Sequence, residues 1–296
     1  MKCGTVSLIG RPNVGKSSLI NALLKTRAVI ISPKPQTTRN SIRCIYNDDN
    51  AQIIFTDTPG LYKIKNSRDK LGIFLNDEII DAVENSDAVL WIVEADTRKL
   101  ESDDYAVAEV LPKKMPVILV ANKSDRADPS RVFSLYENLF NFEAKIAVSA
   151  RLNKGLENLM SALMPFIPEG EPLYDPEILM DTTEKFMASE IIREKILMSL
   201  HDEVPHCVAV EIEEYKSPEE YPDRKKLYIR ASLIIETEGQ KKILIGSRGE
   251  MIKKIGALSR KSIEEITGLG VFLELWVKVI PGWRKNKTAL KRLGYV

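Results

Sequence analysis

Short apolar runs recur along the first half of the chain, separated by lengths that suit helices. Thr5–Ile9, Ile53–Thr56, Ala88–Val93, Val117–Ala121 and Ala144–Val148 read as strands. Helices are predicted from about Lys16 and through Phe74–Val83. Strand-like runs alternating with helical lengths predict an α/β domain with a mostly parallel sheet covered on both sides. In such folds ligands collect at the C-terminal ends of the strands.

The pattern breaks where Pro165, Pro168, Gly170, Pro172 and Pro176 crowd together, too many for a continuing helix or a central strand. Residues 1–168 are therefore expected as one domain, 169–182 as a linker that allows relative movement, and 183–296 as a second domain with a C-terminal tail. Beyond the break, Met187, Ile191, Ile192, Ile196 and Leu200 recur at helical spacing with charged residues between them, so one face should bury. Cys207–Ile212 and Leu227–Ile235 read as strands, and Ile243–Ile245 leads into Gly246-Ser247-Arg248-Gly249. Helices follow from about Glu250 and over Ser259–Thr267, then a strand Val271–Val279. The sum is an α+β module.

Composition is that of an ordinary protein with enough apolar material for two cores, and the net charge of +1 points to no partner. The distribution does. Residues 241–292 carry 13 Lys+Arg against 4 Asp+Glu, a local excess that suits a phosphate-rich partner or a solvated basic face. Cys3, Cys44 and Cys207 lie far apart, which argues for a reducing compartment and against a zinc site. With no signal-like region and no apolar run approaching the ~20 residues that span a bilayer, a cytoplasmic protein is expected. A basic surface leaves peripheral contact with anionic lipid open. No heptad pattern calls for an obligate oligomer.

Gly10-Arg11-Pro12-Asn13-Val14-Gly15-Lys16-Ser17 fits the P-loop pattern, after a strand and before a helix. Its glycines let the backbone curl around phosphate, so that N–H groups through Gly15, Lys16, Ser17 and Ser18 meet negative charge at a helix N-terminus. Lys16 can reach the β and γ phosphates and the Ser17 hydroxyl can ligate Mg²⁺. Asp57-Thr58-Pro59-Gly60 follows a strand, with its carboxylate placed for the magnesium shell and the Gly60 N–H for the γ-phosphate. Alone such a segment is a simple turn; after the P-loop it is a second phosphate-sensing element. Asn122-Lys123-Ser124-Asp125 selects the base, since Asp125 can accept from guanine N1–H and the 2-amino group, which adenine does not offer in that arrangement. Asn122 is expected to tie this loop to the P-loop, Lys123 to cover the base, and Ser149-Ala150-Arg151 to present the Ala150 N–H to guanine O6.

With these motifs the chain resembles the Era-like GTPases, within the translation-factor-related class of P-loop GTPases. The narrower likeness rests on Pro35-Gln36-Thr37-Thr38-Arg39, on Phe186-Met187-Ala188-Ser189-Glu190-Ile191-Ile192-Arg193-Glu194-Lys195 and on Glu274-Leu275-Trp276-Val277-Lys278-Val279. The resemblance implies GTP hydrolysis to GDP and phosphate with Mg²⁺ held by Ser17, Thr38 and Asp57, and catalysis through Lys16, Ser17, Thr38 and Gly60. It names Thr38 as the switch threonine, with Thr37 as its alternate. Ras-like enzymes place a water-orienting glutamine where this chain has Leu61, so slow intrinsic turnover is implied and no general base is assigned. Asn13 either helps hold a potassium ion beside the phosphates or only braces the loop.

The C-terminal order of elements resembles a type II KH domain. Ile245-Gly246-Ser247-Arg248-Gly249 matches its Gly-x-x-Gly loop, where glycines let backbone approach a single strand. Arg248, Lys253 and Lys254 are the expected phosphate partners, which set position rather than sequence. Trp276 is expected as core or half-buried packing, Trp283 is open between packing and stacking, and Lys285-Asn286-Lys287 is a solvated stretch. The family resemblance implies as partners the 3′ region of small-subunit ribosomal RNA and the small ribosomal subunit with its precursor. A GTPase acting on a protein or membrane-associated target through the same C-terminal surface is the competing reading.

Overall fold

The computed structural model describes residues 1–26, 28–29, 38–60, 70–223 and 225–295, so Pro35–Thr37 and Leu61 lie outside the described residues. The chain divides into two compact units, the main body of the first ending at Asp181 and the main body of the second beginning at Thr182, with Lys70 and Leu71 grouped in the second.

In the first unit β1 (Lys2–Ile9), β3 (Ala51–Asp57), β4 (Ala88–Glu94), β5 (Val117–Asn122) and β6 (Ala144–Ala147) are parallel. β2 (Ile42–Asn47) runs antiparallel on the edge, giving the order β2-β3-β1-β4-β5-β6. The expected parallel strands are all present. β2 was not expected, because Arg43, Tyr46 and Asn47 give its sequence no clear apolar run; pairing with β3, from Ile42 opposite Asp57 to Asn47 opposite Gln52, makes it a strand. Helices α1 (Lys16–Leu23), α2 (Lys70–Glu84), α3 (Ser102–Val110), α4 (Ser130–Glu137) and α5 (Leu156–Leu163) complete this part of the chain. The central strands are apolar on both faces, with Val89, Leu90, Trp91, Ile118 and Leu119 all inaccessible to solvent. Trp91 meets Tyr136, Phe140 and Phe142 edge-on at 5.6, 6.0 and 5.7 Å, the arrangement that ring quadrupoles favour. The Tyr136 hydroxyl is satisfied by Asp104 at 2.6 Å.

The segment expected as a free linker is held on this unit as far as Asp181. Cys3 N–H donates to Pro168, Ile45 N–H to Leu179 and Asp181 N–H to Arg43. The fully buried Gln52 amide donates to the Tyr174 carbonyl at 2.8 Å and accepts from Leu173 N–H at 2.6 Å and Tyr174 N–H at 3.0 Å. The prolines do forbid helix and central strand here, but backbone groups freed from regular structure have found partners along β2 and β3.

In the second unit α6 (Glu184–Ser199) is capped by the Thr183 hydroxyl, which accepts from Phe186 N–H at 3.2 Å. β7 (Ala209–Lys216) pairs antiparallel with β8 (Leu227–Ile235), and β9 (Val271–Val279) pairs parallel with β8. α7 (Glu238–Ile245) and α8 (Glu250–Thr267) stand between β8 and β9 in sequence, and α9 (Lys287–Arg292) follows. Ile192, Ile196, Ile229, Leu233, Leu244, Ile255 and Ile263 form the core.

Two expectations need correction here, and one helix was missed. Ile243–Ile245, given no element from the sequence, is the end of helix α7, which a Thr237/Gln240 capping box starts just upstream. The two helices expected from Glu250 and over Ser259–Thr267 are the single helix α8. Trp276 is 59% exposed, since it falls on the outward-pointing side of β9, while Leu273, Leu275 and Val277 pack inward. α6 also departs from a one-faced helix: Glu190, Arg193, Glu194 and Lys195 are buried, with Arg193 Nε 2.7 Å from Glu190 and Lys195 Nζ 2.8 Å from Glu194. Trp283 is fully buried, stacks on Tyr295 at 6.0 Å and donates its indole N–H to the Cys207 carbonyl at 3.1 Å. Among the described residues no helix is long and apolar enough to cross a membrane.

Trp283→Ala removes this buried ring and its N–H donation to the Cys207 carbonyl, so we expect a loss of about 3–5 kcal/mol in urea unfolding.

Candidate functional site

The loops that leave β1, β3, β5 and β6 line one cavity of about 1030 Å³, at the upper end of the usual range for ligand sites. Asn13, Gly15, Lys16, Ser17, Ser18, Thr38, Gly60, Asn122, Lys123, Asp125, Ala150 and Arg151 all contribute to its wall. Of the remaining nucleotide-site residues read from the sequence, Gly10, Val14, Asp57 and Ser149 are buried beneath that wall.

The P-loop conformation follows from packing around one side chain. Asn122 Nδ2 donates to the Val14 carbonyl at 2.9 Å, and its Oδ1 accepts from Lys123 N–H at 2.8 Å and Ala150 N–H at 3.2 Å. A Cβ on Gly15 would stand 2.2 Å from Asn122 Nδ2, and Gly15 also has φ 101, so glycine is required there twice over. Gly60 is glycine for space alone, since a Cβ would press on Pro12 Cγ at 2.8 Å. Asn122 thus braces the P-loop, as expected. The Ala150 N–H, expected to face guanine O6, is engaged by Asn122 in this structure.

Lys16 is buried and donates Nζ to the Gly10 and Arg11 carbonyls at 3.1 and 3.2 Å. Burial lowers its pKa to about 8, partly opposed by the negative charge of Asp57. An ammonium held with so little water is a strong partner for phosphate oxygens. Beside it, Asp57 Oδ2 accepts from Ser17 Oγ at 2.7 Å and from Thr38 Oγ1 at 3.1 Å, and the two hydroxyls stand 3.3 Å apart. Two hydroxyls and a carboxylate make an all-oxygen set suited to a hard divalent cation such as magnesium. Thr38 is buried, turned into the site rather than out to solvent.

At the other end, Ser149 Oγ donates to Asp125 Oδ1 at 2.6 Å. That bond, first among several causes, holds the Asp125 pKa below its ordinary value, so the group stays an acceptor. Lys123 has φ 61 and lays its ammonium on the Asn13 carbonyl at 2.9 Å and on the Glu94 carboxylate. Asn21, Lys25, Thr26, Arg126 and Asn153 also line the cavity and were not singled out from sequence. Only Asn21 left a trace there, four residues after Ser17 on the same helix face.

In the second unit Gly246 has φ 75 and ψ 176, and a Cβ there would lie 2.7 Å from Met251 Cβ. The Ser247–Gly249 turn follows, with Arg248 at φ 50, and α8 starts at Glu250. Ile245 is half-buried; Ser247, Arg248, Lys253 and Lys254 are exposed around the turn. The basic excess of this region is smaller than the count suggested, because Lys278, Arg284 and Arg292 are paired with Glu213, Glu236 and Glu211.

Residues 5–123 match the family model described as 50S ribosome-binding GTPase, and residues 203–284 match the KH domain model. GTPase Era of Caldanaerobacter subterraneus subsp. tengcongensis is 43% identical, with 99% of this chain and 98% of that protein covered. GTPase Era of Lacticaseibacillus paracasei is 41% identical over 99% of this chain and 96% of its own. A crystal structure of an Aquifex aeolicus Era variant bound to GDP and AlF4⁻ superposes with TM-score 0.93 at 36% identity, covering 100% of both chains. Era in complex with MgGDPNP and nucleotides 1506–1542 of 16S ribosomal RNA gives the same TM-score and identity, covering 100% of this chain and 99% of the other.

Asp125→Asn exchanges one acceptor for an amide that can present a donor to guanine N1–H or the 2-amino group. We expect GTP affinity to fall roughly ten- to hundredfold, the worth of hydrogen bonds to a charged group. Lys16→Ala should abolish tight triphosphate binding by calorimetry; unchanged affinity in both variants would reject the assigned pocket.

Proposed function

This chain belongs to the Era family of GTPases, and from that premise we propose that its GTP hydrolysis times the binding and release of the 3′ region of small-subunit ribosomal RNA during maturation of that subunit. The observation that carries the enzymatic half is the convergence of Ser17, Thr38 and Asp57 within 3.3 Å of one another in the cavity that Lys16 and Asp125 also line or border. Ser17, Thr38 and Asp57 would hold magnesium, which when bound neutralises charge on the β and γ phosphate oxygens. Lys16 and the backbone N–H groups around Gly15 bind and orient the same phosphates. Asp125, kept ionised by Ser149, reads the guanine edge. The Gly60 N–H is placed for the γ-phosphate, so loss of that group removes a partner from both Gly60 and Thr38 and frees the segments that carry them. With leucine at position 61, the chain offers no side chain there to orient water, and slow turnover follows. A potassium ion beside Asn13 belongs to the same proposal as added positive charge at the phosphates; faster hydrolysis in KCl than in NaCl is its signature.

The RNA half is supported by the Gly246–Gly249 turn, whose backbone is open to a close-approaching strand, and by the exposed cations Arg248, Lys253 and Lys254 around it. The structure of Era with nucleotides 1506–1542 of 16S ribosomal RNA shows such a partner on a relative of the same fold. These cations are phosphate contacts, so they contribute to affinity in a salt-dependent way and leave sequence choice to base-edge contacts.

Footprinting on small-subunit precursor particles tests the assignment. Wild-type protein with a non-hydrolysable GTP analogue should protect one segment at the 3′ end of the small-subunit RNA. Reversing charge at Arg248 and Lys253 should abolish that protection while GTP hydrolysis continues. Protection insensitive to both changes would remove the RNA assignment and point instead to a protein target.

A further inference from the structure

The P-loop leaves β1 and the base-reading loop leaves β5, and β4 lies between those two strands in the sheet. The last residue of β4, Glu94, pairs in register with Asn122, where the base-reading loop begins. Lys123, the next residue of that loop, is placed in two separate ways. Its backbone, at φ 61, is set by its own N–H, which donates to Asn122 Oδ1 at 2.8 Å. Its side chain reaches the P-loop, where the ammonium donates to the Asn13 carbonyl at 2.9 Å and meets the Glu94 carboxylate. Asn13, Lys123 and Asp125 line the cavity, whereas Glu94 is not part of its wall.

We propose that Glu94 is a positioning residue for Lys123: its carboxylate draws the ammonium to the P-loop and so lays the methylene stem along the cavity as the apolar surface on which the guanine ring packs. The reading rests on the GTPase assignment and adds a residue outside every nucleotide motif. A lysine side chain has a flexible stem and a strongly hydrated head, so left alone it turns to water. Two acceptors oppose that here. The Asn13 carbonyl is neutral, whereas Glu94 brings a full opposite charge to the ammonium. With its head held, the stem can cover apolar surface while the charge stays satisfied. The Lys123 and Glu94 side chains are 23% and 29% exposed, so water screens the pair and its contribution is modest. The stem meets the face of the base, and Asp125 meets its edge. Glu94 therefore sets how tightly the ring is held and leaves the choice of guanine to Asp125. GDP and GTP share that ring, so both depend on Glu94 alike.

A double-mutant cycle in the full chain tests this, with Glu94→Leu, Lys123→Met and the two combined. Leucine removes the acceptor, whereas methionine keeps an apolar stem without the ammonium. Calorimetry with magnesium would give the affinity for GDP, for a non-hydrolysable GTP analogue and for inosine diphosphate, which lacks only the 2-amino group of guanine. For Glu94→Leu we expect GDP and analogue affinities to fall by the same factor, roughly fivefold, with the ratio of GDP to inosine diphosphate unchanged. In the Lys123→Met background the same replacement should have no further effect. Full affinity in Glu94→Leu would overturn the proposal. So would an equal loss in the Lys123→Met background, which puts the effect elsewhere in the fold, or a changed ratio of GDP to inosine diphosphate, which puts it on Asp125. Failure of the GTPase reading itself would appear separately, as wild-type protein binding GTP no better than ATP.

Discussion

The nucleotide site depends on one constraint: backbone N–H groups must be aimed at phosphate before any phosphate is there. A loop left to itself would turn those groups to water, and the cost of ordering it would come out of binding. Here the ordering is done by the Asn122 carboxamide, which bonds the Val14 carbonyl on one side and the N–H groups of Lys123 and Ala150 on the other. Three loops from the ends of β1, β5 and β6 are fixed by a single buried side chain. Phosphate cradle and base-reading loop are therefore held in register, and a nucleotide spans them without reorganising either.

Charge is distributed along the cavity on the same principle. Lys16, the cation assigned to phosphate, is buried among carbonyls and stripped of water, which weakens its hold on its own proton and strengthens its pull on an anion. The carboxylates are separated by role. Asp57 gathers two hydroxyls into a hard-cation site, while Asp125 is held ionised by Ser149 at the guanine end. Thr38 joins the first group from the segment that leads into β2 at Ile42. The frame of this group is the β3 strand that carries Asp57.

The second unit uses backbone conformation differently. Gly246 adopts a conformation closed to other residues and leaves no room for a Cβ against Met251, so the turn before α8 has a fixed shape with cations on its outside. Several basic residues that seemed to enlarge the positive field are neutralised by glutamates of β7 and β8's end, at Glu211, Glu213 and Glu236. Arg248, Lys253 and Lys254 stay exposed around the turn. The outer side of β9 instead carries exposed Phe272 and Trp276 beside paired charges.

Much of this was legible in the chain itself, and for a reason. The residues assigned to phosphate, magnesium and guanine sit at fixed offsets from strand ends, so Lys16, Ser17, Asp57, Asn122 and Asp125 announce themselves through local spacing. Strands buried on both faces, such as Ala88–Val93, are equally plain because burial demands continuous apolar runs. What depended on a neighbour distant in sequence was not legible. β2 is a strand because β3 lies beside it; 169–181 is held because Gln52 and Ile45 offer it hydrogen bonds; Ile243–Ile245 is helix because a cap upstream outweighs a short apolar run. Trp276 faces outward and Trp283 inward for the same reason. Local spacing fixes which groups can do chemistry, but which side of a strand meets the core, and which carboxylate reaches which N–H, is decided only when distant segments pack.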